Sequence, residues 1–90
     1  MTPSSLNAPK SFAETASWLI GRVAYYVRLP AGEIAVDVPL ADYGLDSVYA
    51  FSLSADMEDE FGVTADPTLL WDLETVTALA EYLVNGGGQE

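Results

Sequence analysis

The sequence predicts an all-α fold: a small four-helix bundle with three main helices, one short helix, and a long loop between the first two. Three observations carry this. Apolar residues recur at three- and four-residue spacing in three separate segments. A serine, aspartate or threonine stands before each of them, with glycine or proline close behind. No stretch alternates with the period of two that a half-buried strand requires, and no internal repeat is present.

The elements follow in order. Residues 1–10 are polar, carry two prolines and read as a flexible leader. Ser11-Phe12-Ala13-Glu14 is a capping box, so the first helix is expected over Phe12–Arg28. Its apolar stripe is Phe12, Ala16, Leu19, Ile20, Val23 and Val27, and Pro30 and Gly32 end it. Residues 29–46 form a connection unusually long for a compact domain. Ile34, Val36, Leu40, Tyr43 and Leu45 are the residues available to pack it down, and Pro39 argues against a central strand. The second helix is expected over Ser47–Phe61, with Ala50, Leu53, Met57 and Phe61 facing the core and Gly62 at its C-terminal end. Asp66-Pro67 opens a short third helix to Trp71, itself expected in the core. Thr75 caps the last helix, whose buried stripe is Val76, Leu79, Ala80 and Leu83. Asn85 and Gly86 stop it, which leaves 86–90 as a disordered tail and 11–85 as the domain.

Composition narrows the function. Ninety residues make one domain, read as complete from its Met1, and such a domain buries only about 60–65% of its unfolded surface, so a deep cleft between subdomains has no room. Cysteine and histidine are both absent. That removes disulfides, thiolate metal sites, the commonest general base and any self-contained Ser-His-Asp centre. The net charge is −11, with Lys10, Arg22 and Arg28 the only cations. Nucleic acid and anionic membranes repel such a chain, whereas proteins with basic patches attract it. No apolar run approaches the roughly 18 residues of a membrane span, and no apolar signal block opens the chain, so a cytoplasmic protein is expected.

The residue that stands out is Ser47. It follows Gly44-Leu45-Asp46, where a loop meets an acidic helix. Gly44 supplies the turn, Leu45 anchors the loop, and Asp46 caps the helix. The first helical turn carries free N–H groups and the positive end of the dipole, which stabilise a phosphate attached there. An Asp-Ser pair is also common at ordinary helix starts, so the dipeptide alone leaves both readings open.

The longer pattern resembles the acyl carrier protein family, the phosphopantetheine-binding carriers of polyketide and fatty-acid synthesis. DVPLADYGLDSVYAFSL is similar to the family's loop, attachment site and second helix. MEDEFGV resembles the acidic end of that helix, and PTLLWDLETVTALAEYL the last two helices. Two positions depart: Val48 stands where the family often has leucine, and Glu74 where proline commonly precedes the threonine cap. The resemblance implies that Ser47 receives 4′-phosphopantetheine from coenzyme A, through a Mg²⁺-dependent phosphopantetheinyl transferase. The chain is then a substrate rather than an enzyme, and the working thiol belongs to the arm, where it holds acyl groups as thioesters. The partners implied are that transferase, an acyl-loading ligase or acyltransferase, and synthase enzymes with basic docking patches; the chain itself is expected to be a monomer. GLDSVYAFSLSADMEDEFG followed by PTLLWD also resembles carriers that accompany fatty-acyl-AMP ligases. Two alternatives remain: a peptidyl carrier holding aminoacyl groups, and an acidic helical adaptor with no cofactor.

Val48, Phe51 and Ala55 lie beside the buried face of the second helix, with Glu58 and Asp59 one turn on. In the family that strip docks on partner enzymes; Phe51 is as well placed to complete the core. Reversing Glu58 and Asp59 to lysine is expected to slow partners and leave the fold intact. Met57, Leu70 and Trp71 are the candidates, on the same resemblance, to line a shelter for short acyl chains. Trp18, Arg22 and Tyr25 lie opposite the first helix's apolar stripe, as ordinary half-exposed side chains or as a contact site.

Overall fold

The computed structural model describes residues 11–85; the expected leader, the tail and the Gly86 stop signal lie outside the described residues. Helix α1 spans Phe12–Val27, α2 Ser47–Phe61, α3 Leu69–Asp72 and α4 Val76–Val84. Among the described residues there is no strand, and no helix is long and apolar enough to cross a membrane.

The capping box at α1 forms as expected: Glu14 N–H donates to Ser11 Oγ, and Ser11 N–H donates to Glu14 Oε1. The helix ends at Val27 rather than Arg28. Arg28 is its cap, in the left-handed region at φ 64°, and donates its N–H to the Ala24 carbonyl. A side chain there costs about 1–2 kcal/mol relative to glycine. Ala16, Leu19 and Val23 are buried as the periodicity requires. Phe12 shares their face but, as the first residue of the helix, overhangs the core and is exposed.

Helix α1 packs chiefly along α4 and more lightly on α2. The core between them is Leu19, Val23, Leu53, Met57, Val76, Leu79, Ala80 and Leu83. The α4 cap forms as expected, with Ala78 N–H donating to Thr75 Oγ1. Gly62, at φ 69°, closes α2 by donating to the Glu58 carbonyl.

The long connection has structure of its own. It folds into two 3-10 turns, Ala31–Glu33 and Leu40–Tyr43, each preceded by a proline whose fixed φ starts the turn. Ile34, Leu40 and Leu45 are buried. Val36, expected to pack, is exposed; it contributes its carbonyl instead, accepting from Thr77 N–H at 3.0 Å. Leu40 N–H donates to the Glu74 carbonyl at 2.8 Å, so the position that departs from the family's proline serves through its backbone. Ala35 N–H donates to the Tyr43 hydroxyl at 2.7 Å. The loop is thus stapled to the α3–α4 junction and delivers the chain to the start of α2 in a fixed place.

Helix α3 is a single turn that begins two residues later than expected. Asp66 caps the turn ahead of it, its Oδ1 accepting from the N–H and the hydroxyl of Thr68. Those bonds hold the Asp66 carboxyl below its ordinary value, the backbone donor first.

Candidate functional site

Gly44 ends the second 3-10 turn at φ 91°, a conformation suited to glycine, and turns the chain into α2. Leu45 then drops into the core with 3% exposure. Anchored at Leu45, the chain passes a solvent-facing Asp46 and starts α2 at Ser47. The Asp46 carboxylate accepts from Tyr49 N–H at 3.0 Å, and its carbonyl accepts from Ala50 N–H at 2.8 Å. Of the first N–H groups of α2, those of Ser47 and Val48 have no acceptor among the described residues. They remain at the positive end of a 15-residue helix.

Ser47 itself is exposed. The other described serines are differently placed. Ser11 is engaged in the α1 cap, Ser17 lies inside α1, Ser52 is half-buried, and Ser54 is buried with its hydroxyl donating to the Phe51 carbonyl. Among the described serines, Ser47 alone combines a hydroxyl free of other hydrogen bonds with a helix N-terminus. A phosphodiester on that oxygen has two free donors and a favourable dipole beside it, so the residues present fit a phosphate-linked arm.

Away from the serine, Val48 and Phe51 are 68% and 64% exposed. Phe51 therefore does not complete the core. Ala55, Glu58 and Asp59 continue the exposed strip along α2. Glu58 has a second role that sequence reasoning missed. Its Oε2 accepts from Ala65 N–H at 2.9 Å, clasping the α2–α3 loop. Charge reversal at Glu58 thus breaks a fold contact, contrary to the expectation that the fold would be untouched; Asp59 makes no such hydrogen bond among the described residues.

Met57 and Leu70 are fully buried. Trp71, expected in the core, is 41% exposed. In a one-turn helix only one direction faces inward, and Leu70 occupies it; the next residue is rotated about 100° away. Phe61, at the end of α2, is half-buried and packs edge-on against Trp18, with ring centroids 5.0 Å apart.

A node between α1 and α2 was also missed. Arg22 Nε and Nη2 donate to Asp56 Oδ2 at 3.2 and 3.0 Å, and Nη2 donates to the Tyr26 hydroxyl at 3.3 Å. Tyr26 in turn donates its hydroxyl to the same carboxylate oxygen. The Tyr26 hydroxyl, with the Asp56 carboxylate, raises the Arg22 pKa against partial burial. Burial and the bond to Asp56 push the Tyr26 phenol up. The Tyr26 ring stacks on Tyr49 at 5.7 Å, two residues beyond Ser47. The signal available in sequence was Arg22 with Tyr26 four residues on, in a chain with few cations; Asp56 was hidden among acids that look merely solvated.

Residues 17–83 match the family model described as a phosphopantetheine attachment site. Over 62 residues, 69% of the chain, the sequence is 42% identical to 5-methyl-1-naphthoate synthase of Streptomyces sahachiroi, and spans 4% of that protein's length. The fold is similar to a free-standing peptidyl carrier protein from an Acinetobacter baumannii secondary metabolic pathway, with TM-score 0.80 and 41% identity over 83% of this chain and 94% of that one. It is similar also to acyl carrier protein LipD of Actinoplanes friuliensis, with TM-score 0.68 and 47% identity over 82% of each chain.

Proposed function

The chain belongs to the phosphopantetheine-attachment family and is a carrier for that arm, and on that premise we propose that it is an acyl carrier protein of the polyketide or lipid-pathway kind, with 11–85 as the carrier domain and Ser47 as the attachment point. The observation that carries the assignment of Ser47 is its open hydroxyl at the α2 N-terminus, beside two N–H groups without acceptors among the described residues. In the loading step the Ser47 oxygen bonds to the phosphorus that bears pantetheine. The pyrophosphate link of coenzyme A breaks, and the nucleotide leaves with that electron pair. This chain has no histidine to take the serine proton, so the base belongs to the transferase. Once attached, the arm supplies a thiol that holds acyl groups as thioesters. The chain's own part is to fix the tether's root and to present a docking strip.

That strip is Val48, Phe51 and Ala55, with Glu58 and Asp59 as its acidic rim. Apolar side chains next to the serine supply contact area, and the rim steers encounter with basic synthase patches. Asp59→Lys is the cleaner charge test, since Glu58 also holds Ala65. A short acyl chain would shelter between α2 and α3 by parting Met57 and Leu70, with Trp71 at the rim. The loading enzyme in this reading is an adenylating ligase such as a fatty-acyl-AMP ligase.

A second reading, a peptidyl carrier, is favoured by the 41% identity to the free-standing peptidyl carrier. The test has two steps. Incubation with coenzyme A and a broad-specificity transferase is followed by intact mass; one phosphopantetheinyl addition is expected, and none in Ser47→Ala. Absence of the addition in the parent overturns the carrier assignment in favour of an adaptor. The holo protein is then offered to fatty-acyl and aminoacyl adenylating enzymes, and acylation by the former only is the outcome for the acyl type.

A further inference from the structure

Between the C-terminal turn of α1 and the first turns of α2 lies a groove of about 340 Å³ lined by Tyr25, Tyr26, Arg28 and Tyr49. Its lining is aromatic on three sides, with Arg28 as the fourth residue. Tyr26 and Tyr49 stack at 5.7 Å and 27°, and Tyr25 meets Tyr26 edge-on at 5.3 Å. The Tyr26 hydroxyl is committed to Asp56 and the Arg22 guanidinium lies over both the Tyr25 and Tyr26 rings, so these walls are held in place. Tyr25 nevertheless stays 69% exposed, with one ring face uncovered.

Arg28 is the second observation, and it is independent of the first. Arg22 is paired with Asp56, but Arg28 has no carboxylate partner among the described residues. It also occupies a left-handed cap at φ 64°, where glycine is the less strained choice. A strained backbone that keeps a long charged side chain points to a use for that side chain. In a chain of net charge −11, the groove is a place where an acceptor oxygen meets an unpaired cation instead of a carboxylate.

The third observation is position. Tyr49 is two residues after Ser47 on the same helix, about 3 Å along the axis. Ser47 stands at the open end of α2, so a long flexible arm rooted there is free to fold over that end into the groove.

We propose that this groove receives an aromatic acyl group carried on the Ser47 arm, with a hydroxyl or carboxylate substituent of its ring on the Arg28 guanidinium. The proposal rests on the carrier reading above and names its cargo class. The open face of Tyr25 favours a planar ring over a saturated chain, because offset stacking adds to the area buried. The volume suits one or two fused rings. Resting there also draws the thioester back against the protein, out of bulk solvent.

The test uses the full chain, isotopically labelled and loaded by a broad transferase from acetyl-, octanoyl- and 2-hydroxybenzoyl-coenzyme A. Relative to the acetyl form, the 2-hydroxybenzoyl form is expected to move the amide resonances of Tyr25, Arg28 and Tyr49, and to lose its acyl group to hydroxylamine several-fold more slowly than free 2-hydroxybenzoyl-coenzyme A does. Tyr25→Ala and Arg28→Gly each remove both effects; Tyr25 is exposed and glycine relieves the strained cap, so neither change threatens the fold. The octanoyl form is expected to leave those three resonances in place. Equal shifts with octanoyl, no shifts with the aryl group, or shifts centred on Met57, Leu70 and Trp71 overturn the proposal while leaving the carrier reading intact. Failure of any arm to attach is separately visible by mass, and defeats the carrier reading and this one with it.

Discussion

Replacing Asp56 by alanine removes one carboxylate oxygen that takes three hydrogen bonds, two from Arg22 and one from Tyr26. The side chains of Arg22 and Asp56 are 36% and 30% exposed, so water compensates a large part of what is lost. A bond to a fully buried charged group contributes about 1.5–3 kcal/mol, and an exposed ion pair about 0.2–1 kcal/mol. The Asp56 set falls between, at about 1–2 kcal/mol in total, which for a domain of this size lowers Tm by roughly 4–8 °C per kcal/mol. Thermal unfolding by circular dichroism reads this directly. Tyr26→Phe, which removes only the phenol bond and keeps the stack on Tyr49, should lose a fraction of it. A double-mutant cycle with Arg22→Met should give a coupling of about 0.5 kcal/mol or more. An Asp56→Ala protein that melts with its parent would refute the node as a tie between α1 and α2.

Other perturbations probe separate parts of the account. Asp46→Ala removes the side-chain bond to Tyr49 N–H and should cost about 1 kcal/mol in chemical denaturation, while Asp46→Asn retains most of it. Thr15 is buried with its hydroxyl unpaired, so Thr15→Val should raise stability by about 1 kcal/mol in the same assay. Burial and Asp56 raise the Tyr26 pKa in the folded state, so the protonated phenol stabilises the fold fully below the ordinary value. That contribution is lost as pH rises through the raised value, and melts taken from about pH 9 upward should fall more steeply for the parent than for Tyr26→Phe.

Much of the fold was legible because it is local. Ser11 with Glu14, Asp46, Gly62 and Thr75 each act within a few residues, and all cap the helices as their sequence context requires. The buried stripe of α4 likewise needs only periodicity and appears complete. What escaped is long-range or directional. Arg22 and Asp56 are 34 residues apart, and nothing local distinguishes Asp56 from its acidic neighbours. Glu58 reaches seven residues onward to Ala65, outside its own helix. Trp71 looked like core because it is large and apolar, but one turn of helix has one inward direction and Leu70 takes it. The left-handed Arg28 could not be anticipated either, since a helix cap there calls for glycine. At the site itself, the open position of Ser47 followed from Gly44, Leu45 and Asp46, while the tyrosine groove beside it required tertiary contacts between α1 and α2.

The most direct test is to locate the arm by fragmentation of the holo protein's peptides. The account predicts that all phosphopantetheine sits on Ser47, the one described serine that joins an exposed hydroxyl to the free N–H groups of a long helix. Finding it on Ser52 or Ser17, with Ser47 unmodified, would contradict the claim that this helix start is what makes the hydroxyl an attachment point.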